Sequence, residues 1–327
     1  MRRHRTATGI LLTVGALLTG ALSATAATAA APAGPAPAPQ AENAPSARTV
    51  TTAEQQGARA FWTAERMRAA TPLDLELTPR ALKKLTAPRP GKETTTVAPT
   101  AFPQPGGAWT GGGAVVKTSG RVFFTFQGRT ASCSGNAVTS QNASTVITAG
   151  HCVKYQGSWH TNWVFVPAYD NGQAPYGQWT ATKTLTTPQW EASEDINHDI
   201  GAAVVAPLNG QKLTAVTGAQ GIQFNGGYNK PMYAFGFPAA SPYDGSKLIH
   251  CSGNSSKDFL FSQDHSLACN MTGGSSGGPW FTGFSESTGT GLQVSVNSFG
   301  YTFLPNRMFG PYFGDVAKAL YDKAQVS

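Results

Sequence analysis

The sequence predicts an antiparallel all-β unit ended by a single C-terminal helix and preceded by a leader that builds no core of its own. Three observations carry this expectation. Of the 327 residues, those after Gly113 fall into short β-rich runs separated by clusters of Gly, Asn, Pro and Ser, the texture of antiparallel strands joined by tight turns. Residues 1–106 instead alternate apolar, Ala/Pro-rich and Pro/Gly/Thr-rich stretches. All four cysteines, Cys133, Cys152, Cys251 and Cys269, lie in the β-rich part.

Taken in order, residues 1–30 begin with Arg2, Arg3 and Arg5, continue through an apolar run over about 9–22, and end in small residues. That is the pattern of a signal peptide. The apolar run is shorter than the roughly 20 residues a spanning helix needs, and no later segment could cross a bilayer. Export to the extracellular space is therefore expected. Residues 31–45 are Ala/Pro-rich, a composition that favours extended, unpacked chain. Residues 52–85 show mixed helical periodicity, with Phe61, Trp62, Met67, Leu73 and Leu75 as the few large apolar side chains. Residues 31 to about 106 thus read as a propeptide, with a permanently attached small domain as the alternative. Such a segment is expected to bury little surface.

From 107 onward about 220 residues remain, room for two packed barrels. Strands are predicted over 121–126, 144–148, 163–166, 200–205, 232–237 and 292–299. Residues 311–324 read as a helix, with Phe313, Val316, Ala317 and Leu320 able to share one face.

Charge excludes one class of function. The formal charge is +7, but residues 1–106 hold 12 Lys/Arg against 6 Asp/Glu, while 107–327 hold 12 against 11. The basic excess belongs to the leader, so attraction to nucleic acid is not expected of the rest. An even cysteine count behind an export signal implies disulfides, and chain order pairs Cys133 with Cys152 and Cys251 with Cys269. There is no Cys-x-x-Cys or His-x-x-x-His, the short ligand spacing zinc requires, so neither a metal nor an organic cofactor is expected.

Three segments carry chemistry. In Thr272-Gly273-Gly274-Ser275-Ser276-Gly277-Gly278-Pro279 a serine sits among glycines that let two backbone N–H groups converge on one oxygen. Upstream, Val146-Ile147-Thr148-Ala149-Gly150-His151-Cys152 places an imidazole at a strand end, beside a cysteine able to pin the turn. Between them, His198-Asp199-Ile200-Gly201-Ala202-Ala203-Val204-Val205 opens an apolar strand with a carboxylate that can fix a histidine tautomer. Asp195 and Glu194 are nearby competitors, and His198 reads as a solvated bystander. Gly274-Ser275-Ser276-Gly277-Gly278 also satisfies Gly-x-Ser-x-Gly. That reading needs a histidine after the serine, and the last one in the chain is His265.

Thr-Ala-Gly-His-Cys, Asp-Ile-Gly-Ala and Gly-Ser-Ser-Gly-Gly-Pro, in that order, resemble the signature segments of the chymotrypsin/trypsin superfamily. The resemblance covers roughly residues 113–327 and is greatest to the bacterial secreted branch of V8-like glutamyl endopeptidases, which share Thr-Gly-Gly-x-Ser-Gly. Trp62-Thr63-Ala64-Glu65-Arg66-Met67 and Asn162-Trp163-Val164-Phe165-Val166-Pro167 are further points of likeness. The resemblance implies two antiparallel six-stranded β-barrels with a C-terminal helix, and a secreted, monomeric serine endopeptidase acting on proteins or peptides. His151, Asp199 and Ser276 would form its triad, and the N–H groups of Gly274 and Ser276 its oxyanion hole.

Two departures bear on activation and specificity. Ser275 stands where trypsin-like animal enzymes carry the aspartate that binds a new N-terminus, so activation is expected to follow from propeptide removal alone. Asn270 stands where such enzymes place the aspartate of the specificity pocket, and Asn297 where glutamyl-specific relatives carry a histidine. Asn270, Asn297, Ser298 and Gly300 are the expected substrate-binding positions, the last two through backbone that pairs with substrate as an added strand. A catalytically silent binding protein and an exported esterase using the same triad are the alternatives.

Overall fold

The structure is a computed structural model, and it describes residues 44–77 and 103–327. The signal reading over 1–30, the linker reading over 31–45 up to residue 43, and the part of the propeptide reading over 78–102 lie outside these residues.

Six strands close into a barrel. Ser119–Phe126 and Arg129–Ala137 form a hairpin, Arg129–Ala137 pairs with Thr145–Thr148, and that strand pairs with Gly201–Val205. Trp179–Thr186 and Thr161–Pro167 complete the ring back to Ser119–Phe126. Alternation along these strands sends Val122, Phe124, Ile147, Phe165, Trp179 and Leu185 into one fully buried core. The predicted C-terminal helix forms over Asp315–Gln325. Its Ala317, Leu320 and Ala324, one helical face, close that core from outside.

The other half is a second β region in two sheets. One runs Gly221–Ile222, Thr290–Val296, Pro279–Ser285, Pro231–Gly236, Ile249–Asn254 and Gln104–Ala108; the other runs Ser256–Lys257, His265–Ala268, Leu304–Gly310, Phe299–Tyr301 and Leu75–Leu77. The strand predicted over 292–299 is two strands. Asn297 leaves the ladder between them, its N–H donating to Gly278 O and its carbonyl accepting from Gly277 N–H. The predicted disulfides are present, Cys133–Cys152 in the closed barrel and Cys251–Cys269 in the second region.

The described part of the leader is woven into these sheets. Helix Thr52–Phe61 begins at a Thr51/Glu54 capping box, and a second helix spans Ala64–Ala69. Ser46–Thr49 pairs antiparallel with Trp179–Thr186, and Trp62, 1% exposed, packs on Phe123 and donates from Nε1 to Asn162 O at 2.6 Å. Apolar residues are few here, but Trp62, Met67, Leu75 and Leu77 are all buried. Ladder hydrogen bonds supply the rest of the attachment, which composition does not record.

Candidate active site

The site assembles where the two halves meet. His151 sits on a 3₁₀ turn, Gly150–Cys152, that follows strand Thr145–Thr148. Three bonds fix this turn: the disulfide to Cys133, Trp163 Nε1 donating to Cys152 O at 3.0 Å, and His160 Nε2 donating to His151 O at 2.8 Å. His160 is stacked on Phe124, and burial pushes its pKa down to about 3, so it stays neutral and keeps the Nε2–H this bond needs.

Asp199 follows the turn Ile196–His198, which Asp195 caps by accepting from Asn197 N–H at 3.1 Å. Asp195 thus places the carboxylate instead of competing with it. His198, expected to be solvated, is buried at 4% exposure. Asp199 is fully buried. Its Oδ2 accepts from His151 Nδ1–H at 2.7 Å and Ser298 Oγ–H at 2.6 Å, and its Oδ1 from His151 backbone N–H at 2.7 Å. Two bonds to one residue fix the imidazole in position and tautomer. His151 Nε2 is buried and has no partner among the described residues. Only glycine fits at 150, where a Cβ would lie 2.8 Å from Trp190 and 2.9 Å from Asp199 Oδ1.

The loop 272–279 carries Ser276 beside this turn, its carbonyl 3.7 Å from Cys152 Sγ, with no hydrogen bond between Ser276 Oγ and His151 Nε2. Ser134, next to Cys133, is its anchor on the barrel: its N–H donates to Ser276 O at 2.7 Å and its Oγ to Gly274 O at 2.9 Å. Within the loop the N–H groups of Ser275, Gly277 and Gly278 are bonded to Thr272 O, Asn297 O and Ser275 O. Those of Gly274 and Ser276 have no acceptor among the described residues. In a trans peptide the N–H points opposite the preceding carbonyl, so the anchors of those carbonyls aim the two free donors. Gly273 O is held by Ala239 N–H at 2.7 Å, and Ser275 O by Gly278 N–H at 2.9 Å and Asn297 Nδ2 at 3.0 Å. Gly274 has φ +93°, which glycine adopts without strain.

A cavity of about 360 Å³ adjoins the loop, walled by Asn270, Met271, Thr272, Gly273, Gly300 and Tyr301 among others. Asn270 lies in this wall, with Oδ1 accepting from Tyr243 OH at 2.6 Å. Asn297 does not, and this corrects its assignment as a substrate-binding residue. It is fully buried behind the loop, its Nδ2 donating to Phe235 O and Ser275 O and its Oδ1 accepting from Trp280 Nε1 at 2.7 Å. Both of its amide donors are spent and its side chain is closed off from the cavity by burial. Ser298 donates its N–H to Phe309 O and its hydroxyl to Asp199, which leaves its carbonyl as the backbone group open to a substrate. Sequence reasoning missed Ser134 and the Asp199 bond of Ser298. Neither carries a local signal beyond proximity to Cys133 and to the Ser-Phe-Gly stretch.

Cys133, His151 and Cys152 place potential ligand atoms within 4.8 Å of one another. Both sulfurs are joined in the disulfide, so neither can be the thiolate a metal takes.

A closed six-stranded barrel joined to a second β region, with the His151–Asp199 pair beside the loop that carries Ser276, has the architecture of the chymotrypsin-like serine proteases. Comparison with known proteins bears on the family. No family model matches. The crystal structure of protease Anisep from Arthrobacter nicotinovorans is 47% identical with a TM-score of 0.61, over 64% of this chain and 96% of that one. A thermostable serine protease, AL20, from an extremophilic microorganism is 42% identical with a TM-score of 0.61, over 65% and 99%. A Glu endopeptidase shares the fold at 15% identity and a TM-score of 0.54. An extracellular metalloprotease of Bacillus subtilis (strain 168) is 37% identical over 71 residues, so the chain spans about a fifth of that curated relative, 22% of its length. The chain belongs to the trypsin-like serine peptidase superfamily.

Proposed function

We propose that this chain is the precursor of a secreted serine endopeptidase in which Ser276 is the nucleophile, His151 the general base and Asp199 the group that orients and stabilises the imidazolium. The observation that carries this reading is the buried Asp199 carboxylate, which takes both the Nδ1–H and the backbone N–H of His151. With Nδ1 protonated, Nε2 is the basic nitrogen. It takes the proton of Ser276 as Oγ attacks a peptide carbonyl, then returns it to the leaving amine, and water resolves the acyl-enzyme by the same steps. The N–H groups of Gly274 and Ser276 receive the oxyanion. Each donor of this kind is worth about 3 kcal/mol in the transition state.

The cavity beside Asn270 would hold the side chain before the scissile bond, and the edge of Phe299–Tyr301 would pair with the residues ahead of it. Residues 1–30 serve export, and 31 to about 106 form a propeptide whose loss activates the enzyme, since Ser275 offers no carboxylate to a new N-terminus. Incubating the chain freed of its propeptide, from about residue 107 onward, with a mixed peptide library, beside Ser276→Ala, tests the assignment by mass spectrometry. Cleavage lost in the variant supports it. A chain that hydrolyses short acyl esters but no peptide would point to an esterase, and one that fails to react with an organofluorophosphonate would point to a silent binding protein.

A further inference from the structure

The cleft is occupied by the protein's own chain. Thr71–Pro72 pairs parallel with Ala131 and Ser132 on strand Arg129–Ala137, and Leu73 N–H donates to Ser132 O at 2.9 Å. Asp74 then crosses the nucleophile loop: a Cβ on Gly273 would lie 2.9 Å from its Oδ2, and Asp74 stands in the wall of the 360 Å³ cavity beside Asn270. Leu75–Leu77 continues parallel to Phe299–Tyr301, with Leu75 opposite Phe299, position 76 opposite Gly300 and Leu77 opposite Tyr301. Leu75 and Leu77 are 5% and 7% exposed, packed among Trp190, Ile196, Phe299, Tyr301 and Phe309. Trp190 also lies within 6.2 Å of the His151 ring.

The direction of this strap decides its role. On the catalytic reading above, a substrate has its residue before the scissile bond in the cavity and earlier residues on Phe299–Tyr301. Its later residues leave toward Ser132, so substrate runs from the Phe299 side to the Ser132 side, antiparallel to both edges. Segment 71–77 starts at Ser132 and ends at Tyr301, the opposite way. Reversal exchanges amide nitrogen and carbonyl along the cleft. The strap's carbonyls are not delivered to the Gly274 and Ser276 N–H groups with a leaving nitrogen toward His151, which the chemistry requires.

We propose that the cleft binds extended peptide in two polarities, antiparallel as substrate and parallel as inhibitor, and that segment 71–77 of this chain is its resident inhibitor, held without being cut. The proposal rests on the protease assignment and adds to it why the leader blocks a fully built site. Two apolar anchors fill subsites, main-chain pairing supplies affinity, and reversed polarity denies the reaction geometry.

The test uses the full, uncleaved chain. Leu75→Asp together with Leu77→Asp buries two charges in the apolar contact and should free the cleft, raising hydrolysis of a fluorogenic peptide about tenfold or more over the unsubstituted chain. A synthetic peptide of sequence Thr-Pro-Leu-Asp-Leu-Glu-Leu, added to this variant, should restore inhibition competitively and be recovered intact. The reversed sequence should not restore it. A double variant that forms both disulfides and reacts with an organofluorophosphonate, yet hydrolyses no faster than the unsubstituted chain, overturns the proposal, as does cleavage of the added peptide within residues 73–75. If neither chain reacts with the organofluorophosphonate, the protease assignment itself fails.

Discussion

Asn297 and Ser298 show how neighbouring residues divide labour around one reaction. The amide of Asn297 turns Ser275 O away from the site, and with it turns Ser276 N–H toward the site. On the proposed mechanism it is a positioning residue for the oxyanion hole. Asn297→Leu removes that hold and should lower kcat by about 10- to 100-fold with KM little changed. Binding of a peptide boronate should weaken in parallel while binding of product peptide does not; a KM effect alone would return Asn297 to the substrate pocket. Ser298 instead supplies one of three bonds to the Asp199 carboxylate. Hydrogen bonds to a buried charge are worth about 1.5–3 kcal/mol, so Ser298→Ala should cost about tenfold in kcat. Asp199→Asn, which spoils the imidazole tautomer, should cost about 10⁴. Steady-state kinetics on a peptide ester ranks the two, and equal losses would contradict the assigned roles.

At the scale of elements, the site depends on strands from the two halves being held in register at one point. Strand Arg129–Ala137 does most of this: Cys133 ties it to the His151 turn, and Ser134 ties it to the nucleophile loop. Reducing the Cys133–Cys152 bridge frees a loop whose ends are 19 residues apart. The chain-entropy argument gives about 3 kcal/mol for a loop of that length. A Cys133→Ala, Cys152→Ala chain should lose about that much in urea denaturation, and it should lose activity at lower urea than it loses secondary structure, because the imidazole turn is released first. Coincident transitions would mean that the bonds from Trp163, His160 and Asp199 hold the turn without the disulfide.

For the whole molecule, acid stability follows from buried histidines. Burial pushes both His160 and His265 down to about 3 from an ordinary 6.5, so they remain neutral in the fold. The unfolded chain takes up their protons below about pH 6.5. Their contribution is therefore complete above that pH and is lost as pH falls toward 3, at up to about 1.4 kcal/mol per pH unit each. Asp264 works the other way. Burial, reinforced by the charges of Asp258, Asp199 and Asp195, raises its carboxyl well above the ordinary range, so it keeps its proton in the fold and gains relative stability as pH falls. Two histidines outweigh one carboxyl, and the urea midpoint should be lower at pH 4.5 than at pH 7. A midpoint that does not move between those values would remove the histidines from the balance.

The sequence by itself determined the contiguous features. It marked the three chemical segments and their His, Asp, Ser order, the disulfide pairs, five of six strands as single runs, and the C-terminal helix. Each is written in neighbouring residues through alternation, turn chemistry or a short motif, so local reading suffices. Tertiary structure alone decided the rest. Ser134 reaches Gly274 across 140 positions and Asn297 reaches Phe235 across 62, and only the fold can say that Asn297 turns its amide behind the loop and away from the cavity. The same holds for the leader: its sequence reads as a segment that buries little surface, yet Leu75 and Leu77 are buried beside Phe299–Tyr301 because parallel strand pairing is set by backbone hydrogen bonds and register, which leave no periodic trace in composition.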